Sequence, residues 1–231
     1  MSVDQNLLLI RNYDLWAHIS EEEYEALNLV HNFIEANKNQ FIYFDSHFHN
    51  KLYFLKEGFI KIGYIDETGR EIVKEIIQKG EVFGQITLER NNLQGEFAKA
   101  YKANVSLCAF NIEDFEKICE KKPVIALRYS KLIGNQLKKV ENRLVNLLHT
   151  DVRTRLINFI LLLANNSTIT NNSAAFPIFL THEDIAQLIG SSRQTVTTSL
   201  NELEAAGLLH TTKGNMHLPD VKTLQKLATV S

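Results

Sequence analysis

Residues 180–209 read LTHEDIAQLIGSSRQTVTTSLNELEAAGLL, and this stretch decides the architecture of the C-terminal third of the chain. Thr181 stands where it can cap a helix that carries Ile185, Leu188 and Ile189 on one face. Gly190 permits a sharp turn, and Ser191 with Gln194 forms a capping box that opens a second helix. On that helix Val196, Leu200 and Leu203 recur at helical steps and point inward, which leaves Arg193, Gln194, Thr197, Thr198 and Asn201 facing out. Ala205-Ala206-Gly207 ends it. Leu208–Thr212, the turn Lys213-Gly214-Asn215 and Met216–Leu218 then read as a small β-hairpin. Two short helices around a glycine turn, followed by a hairpin, describe a winged helix-turn-helix. The outward residues suit double-stranded DNA: arginine bonds guanine bidentately, glutamine pairs with the adenine edge, and threonine offers a hydroxyl or a methyl group. The candidate DNA-contacting residues are Thr181, His182, Ser192, Arg193, Gln194, Thr197, Thr198 and Lys213.

Upstream of this motif, Pro123 opens a long helix at a position where a missing N–H costs nothing. Ala126, Ser130, Ile133, Leu137, Val140, Leu144 and Leu147 follow at spacings of 4-3-4-3-4-3, with Lys131, Lys138, Lys139, Glu141 and Arg143 off the seam. Strict alternation of this kind is the pattern of a two-stranded coiled-coil seam and predicts a homodimer. His149-Thr150-Asp151 interrupts it, and Asp151 is a good N-cap for a further helix from Val152 to about Ala164. The polar stretch Asn165–Ala174 reads as a loop.

The first half of the chain has a different period. Residues 1 to about 37 read as helix, with a capping box at Ser20 and Glu23 and a stripe of Tyr24, Leu27, Val30 and Ile34. From Gln40 to Phe115, short apolar runs alternate with turn signals. Phe41–Phe44, Leu52–Leu55, Phe59–Ile65, Ile72–Ile77 and Asn104–Phe110 are strand candidates. Glu57-Gly58, Asp66-Glu67-Thr68-Gly69 and Lys79-Gly80-Glu81 punctuate them. This is the signature of an antiparallel sandwich or barrel.

Composition is that of an ordinary globular chain, 45% apolar and 23% charged over 231 residues. The most apolar run, Leu156 to Ala164, is interrupted by Asn158 and is far shorter than the roughly 18 residues a membrane helix needs. With acidic Asp4 and no basic segment ahead of Leu7–Ile10, a secretory signal is not expected, and a cytoplasmic location is. The 25 basic and 27 acidic residues nearly cancel. From Asp151 to the C-terminus there are six of each, so DNA affinity must come from a few placed groups, doubled by dimerisation.

The motifs together resemble the Crp/Fnr family of bacterial transcription regulators over nearly the whole chain. The resemblance is carried by Asp66-Glu67-Thr68-Gly69-Arg70-Glu71, Gly80-Glu81-Val82-Phe83-Gly84, Asp151-Val152-Arg153-Thr154-Arg155-Leu156, and the run from Leu180 to Leu209 with its core Gly190-Ser191-Ser192-Arg193-Gln194-Thr195-Val196. It implies an α+β protein: an antiparallel, cyclic-nucleotide-binding-like β-barrel (jelly roll) with the N-terminal helix over 1–122, a dimerisation helix over 123–149, and a winged-helix DNA-binding domain over 150–231. It further implies a regulator with no enzymatic activity that acts alongside RNA polymerase.

The departures from the family bear on the effector. Nucleotide-binding members carry Gly-Glu at the start of the phosphate cassette and Arg-Ser eleven residues later. Here those positions hold Gly84-Gln85 and Gly95-Glu96, and the base-contacting positions of the long helix hold Val140 and Glu141. An arginine is missing and a carboxylate stands where an anion would sit, so cyclic AMP and cyclic GMP are not expected to bind. No cofactor is expected. Cys108 and Cys119 are too few for the four-cysteine iron–sulfur cluster of the oxygen-sensing branch and read as packing thiols, and nothing supports haem. An alternative reading, a cupin-like enzyme or metal sensor, would need a metal triad, for which the β region offers only His47 and His49. In the recognition helix the family activator's Arg-Glu-Thr-Val-Gly-Arg becomes Arg193-Gln194-Thr195-Val196-Thr197-Thr198, so a different half-site is expected.

Overall fold

Six strands build the first half of the chain: β1 (Asn32–Ala36), β2 (Phe41–Phe44), β3 (Lys51–Ile65), β4 (Glu71–Ile77), β5 (Val82–Gly84) and β6 (Glu96–Asn111). The computed structural model describes residues 15, 32–44, 50–86, 95–165 and 169–229. The chain divides into two compact units, residues 1–137 and 138–231.

In the first unit the strands form one antiparallel sheet in the order β1-β6-β3-β4, with β2 paired to β6 and β5 to β3. The expected barrel is therefore an open sheet among the described residues: β1 and β4 stand at its ends and do not pair. β3 and β6 are its long central strands, and Leu52-Tyr53-Phe54-Leu55 are buried on both faces as central strands require. One face packs Phe54, Cys108 and Phe110 against Phe115 and Ile118 of helix α1 (Ile112–Lys121) and Ile125 and Tyr129 of helix α2 (Pro123–His149). The other buries Tyr43, Tyr53, Ile60, Ile62, Ile77 and Phe83, with the Tyr53 and Phe83 rings stacked at 4.9 Å.

Three sequence readings change here. The predicted helix over residues 1–37 ends in a strand: Ile34 lies in β1, opposite Leu107 of β6. Ser20, Glu23, Tyr24, Leu27 and Val30 fall outside the described residues, as do His47 and His49. Glu57-Gly58 is a bulge inside the continuous 15-residue β3, not a turn between strands. Gly58 takes a φ of +85°, and a Cβ there would lie 2.7 Å from the Asn104 carbonyl oxygen, so only glycine fits. The strand expected at Asn104–Phe110 is the second half of the 16-residue β6. The Asp66–Gly69 turn forms as expected. The Asp66 carboxylate accepts from the Thr68 hydroxyl and from the Thr68 and Arg70 N–H groups, which hold its pKa down at about 2.

The second unit contains the C-terminal part of α2, then α3 (Val152–Asn165), β7 (Ile169–Thr170), β8 (Ser173–Pro177), α4 (His182–Ile189), α5 (Arg193–Ala205), β9 (His210–Thr212), β10 (Asn215–Leu218) and α6 (Val221–Thr229). The wing is a four-stranded sheet, β7-β8-β10-β9, rather than a lone hairpin. Its extra strands replace the polar loop expected over Asn165–Ala174: Asn171 and Asn172, both at positive φ, turn β7 into β8. Leu156, Ile157 and Ile160 of α3, Leu203 of α5, Met216 and Leu218 of β10, and Leu224 of α6 are buried.

Candidate DNA-binding interface and the effector region of the β-domain

The helix-turn-helix is held by its own polar groups. The Thr181 hydroxyl accepts from the Asp184 N–H, and the Asp184 carboxylate accepts from the Thr181 N–H, so the first helix carries a capping box. Gly190 ends that helix at a φ of +66°. The second helix begins one residue later than its sequence suggests. Ser192 is the N-cap and accepts from the Thr195 N–H at 3.1 Å, whereas the predicted Ser191–Gln194 box does not form. The physical reason is the left-handed Gly190, which spends one more residue on the turn before helical geometry resumes.

The predicted contact residues divide into two groups. Arg193, Gln194, Thr198 and Ser192 are exposed around the first turns of α5, and Lys213 is exposed at the wing turn. Thr197 and His182 do not face outward freely. Both are half-buried, and His182 Nδ1 stands 2.8 Å from Thr197 Oγ1, tying α4 to α5. The Thr197 hydroxyl also donates to the Arg193 carbonyl at 2.9 Å. Thr181 is exposed, with its hydroxyl committed to the cap. The exposed set places a guanidinium and an amide side by side at a helix N-terminus, where backbone N–H groups favour phosphate.

The long helix shows a change of partners along its seam. Ile125 and Tyr129 are buried, and Leu132 and Ile133 pack against the same core. Ala126 is half-buried and Ser130 is exposed. From Leu137 onward the apolar side chains are uncovered: Leu137 is 59% exposed, Val140 63% and Leu144 55%. Leu147 packs beside Gly190. The seam predicted over seven positions is thus part intramolecular anchor and part open stripe, and Ile133 belongs to the anchor.

In the effector region, Gly84 has a φ of +88°, and a Cβ there would meet the Lys51 carbonyl oxygen at 2.6 Å. Gln85 is buried and donates its backbone N–H to that same carbonyl. Gly95 is also left-handed, at +77°, a conformation that strains any arginine placed there. Glu96, only 3% exposed, opens β6. Its carboxylate accepts from the Tyr43 hydroxyl at 2.7 Å, from Lys74 Nζ at 2.7 Å and from the Tyr64 hydroxyl at 3.4 Å. The sequence points to an unneutralised carboxylate, but Lys74 supplies the cation from β4. Burial, followed by the charge of Glu96, pushes the Tyr43 phenol far above its ordinary range, so it remains a donor. Val140 and Glu141 are exposed on α2. Cys108 and Cys119 are free thiols that burial pushes up to about 11 each, which disfavours the reactive thiolate. Among the described residues no group of three His, Cys, Asp or Glu could hold a metal ion, and no helix is long and apolar enough to cross a membrane.

Comparison with known proteins finds a counterpart for each half of the chain. Residues 33–122 match the family profile described as the cyclic nucleotide-binding domain, and residues 154–227 match the Crp-like helix-turn-helix domain. The chain is 27% identical over 186 residues to the Global nitrogen regulator of Nostoc sp., covering 79% of this chain and 83% of that protein. It is also 27% identical over 159 residues to the cAMP-activated global transcriptional regulator CRP of Pasteurella multocida, covering 68% and 76%. Among solved structures, a CooA mutant from Carboxydothermus hydrogenoformans superposes with a TM-score of 0.77 at 23% identity, covering 98% of this chain and 97% of that one. FixK2 from Bradyrhizobium japonicum superposes at 0.74 and 19% identity, covering 88% and 100%. With a cyclic-nucleotide-binding-like domain, a long helix and a Crp-like helix-turn-helix in that order, the chain belongs to the Crp/Fnr family of DNA-binding transcription regulators.

Proposed function

We propose that the protein works as a homodimer in the cytoplasm, reads its operator with Arg193, Gln194 and Thr198, and regulates transcription alongside RNA polymerase without responding to cyclic AMP or cyclic GMP. The observation that carries the DNA-reading part is the exposed Arg193-Gln194 pair on the first turn of α5, set by the Ser192 cap and the Gly190 turn. Exposed Ser192 and Lys213 contribute phosphate contacts in this reading, while His182 and Thr197 act by holding α4 and α5 together. The test is a fluorescence titration of a duplex selected from random DNA by the purified protein. Arg193→Ala is expected to lose on the order of 1–3 kcal/mol of binding and to relax specificity at one base position. Unaltered affinity and unaltered sequence preference would mean that another element reads the DNA.

The absence of a cyclic-nucleotide response rests on Glu96. Its buried carboxylate already holds Lys74 and Tyr43, and a phosphate brought beside it meets like charge and no free cation from Gly95. A bound ligand stabilises by about 2.7 kcal/mol at a hundredfold excess over its Kd. For a protein of this size that moves a melting transition by a few degrees. Thermal melts with millimolar cyclic AMP or cyclic GMP are expected to superpose on the nucleotide-free melt. A reproducible upward shift that Gln85→Ala abolishes would show that the β-domain accepts the nucleotide.

A further inference from the structure

We infer that Arg155 is a positioning residue that joins the end of the long helix to the turn of the helix-turn-helix, so that α2 sets where the reading helix stands. Arg155 lies in the first turn of α3, beyond the break at His149-Thr150-Asp151. Its one guanidinium serves both sides of that break. Nη1 donates to the Thr150 carbonyl at 2.7 Å, Nε to the Ile189 carbonyl at 2.8 Å and Nη2 to the Gly190 carbonyl at 3.2 Å. Thr150 is in turn bound to the last turn of α2, its N–H and hydroxyl both donating to the Asn146 carbonyl. A second cation, Arg143 of α2, reaches the Gln187 carbonyl at 3.4 Å.

The Gln187, Ile189 and Gly190 carbonyls lie at the end of α4, where the helix dipole is negative, so a cation is suited to them. Packing closes the same joint. A Cβ on Gly190 would lie 2.6 Å from Leu147 Cδ2, which shows that the last turn of α2 rests directly on the turn between α4 and α5. The break at 149–151 is therefore bridged by hydrogen bonds and contact and does not act as a free swivel. A lysine could not replace the arginine, because one ammonium on a flexible stem lacks the fork that meets three carbonyls at once.

The inference rests on the dimeric, DNA-reading function proposed above. In a dimer the orientation of each α5 on its own α2 fixes the distance between the two reading helices. Arg155 touches no DNA in this scheme. It confers selectivity for half-site spacing, while Arg193 confers selectivity for sequence.

The experiment uses the full chain, a duplex selected from random DNA by the wild-type protein, and the same duplex with one central base pair inserted or removed. Wild type is expected to bind the altered spacings about tenfold more weakly or worse. In Arg155→Ala that spacing preference is expected to disappear, while the penalty for a substitution within one half-site is kept. Arg155→Lys, which preserves the charge and guards against a folding defect, should lie between the two. Hydrogen exchange supplies a readout that needs no DNA: the Gly190 and Ser191 amides should exchange at least about tenfold faster in Arg155→Ala. Retention of the full spacing preference by a folded Arg155→Ala overturns the inference. Failure of wild type to select any duplex overturns the DNA-reading function instead, and unchanged exchange in Arg155→Ala then independently refutes the joint.

Discussion

Leu137→Glu is expected to run as a 26.4 kDa monomer in light scattering, where the unaltered chain gives twice that mass. Leu137, Val140 and Leu144 follow one another at steps of three and four along α2 and are all more than half exposed in the single chain. Val145 and Leu148, 54% and 68% exposed, widen the same apolar surface. A run of large aliphatic groups left in water on one helix is the pattern of a surface that meets its own copy. A carboxylate in that stripe would be buried against its twin, and like charges at close range in a desolvated seam are strongly unfavourable. The consequence for DNA is larger than for the fold. A dimer engages two half-sites with an effective concentration that raises binding by roughly 10²–10⁴ over a single module, and the monomer loses that gain. Among the described residues Leu137 belongs to neither buried cluster of the β-domain, so the variant should melt as a folded protein. Lys131→Glu, off the seam, is the charge control. A Leu137→Glu chain that retains dimer mass and full operator affinity removes this stripe as the interface.

Lys74→Met is expected to destabilise the β-domain by roughly 1–3 kcal/mol in chemical denaturation, and adding Glu96→Gln should restore most of the loss. Among the described residues Glu96 is the most deeply buried acid of the β-domain, and Lys74 Nζ is its cation at 2.7 Å. Breaking a fully buried pair costs about 3–5 kcal/mol, but Lys74 is 46% exposed, so water softens the penalty. The remaining hydrogen bond from Tyr43 softens it further. In the double variant a neutral amide can still accept from the Tyr43 hydroxyl, and no charge is left buried. A single variant as stable as the parent would mean that Glu96 does not depend on Lys74 for its charge balance.

How far each element could be read follows from the range of the interactions that make it. The helix-turn-helix is local: the Thr181–Asp184 capping box, the inward Val196, Leu200 and Leu203, and the left-handed Gly190 all act within a few residues, and the structure reproduces them. At the second cap the adjacent serines Ser191 and Ser192 are equivalent by pattern, and the geometry of the Gly190 turn selects Ser192. The Asp66–Gly69 turn was visible for the same reason, since its hydrogen bonds span only four residues.

Strands depend on distant partners, which local spacing does not reveal. Ile34 sits at a helical spacing from Val30, yet it pairs with Leu107 far along the chain. Glu57-Gly58 carries a turn signature, but continuous pairing of β3 with β6 on both sides of it makes it a bulge. Asn171-Asn172 has the composition of a polar loop, and a two-residue strand such as β7 leaves almost no periodicity along the chain.

The succession of a β-rich half, a long helix and a winged helix-turn-helix is legible along the chain, as is the chemistry available at the reading helix through Arg193 and Gln194. So is the departure of Gly84-Gln85 and Gly95-Glu96 from a nucleotide cassette. Packing in three dimensions selects which seam residues are already used, with Ile133 packed on the β-domain core while Leu137, Val140 and Leu144 stay uncovered. It alone supplies Lys74 as the cation of Glu96 and brings Arg155 to the carbonyls of Thr150, Ile189 and Gly190. Helices, caps and tight turns are closed by neighbours along the chain. The partner of a buried charge or an orphaned carbonyl is chosen by proximity in space, and the spacing of residues along the chain carries no record of it.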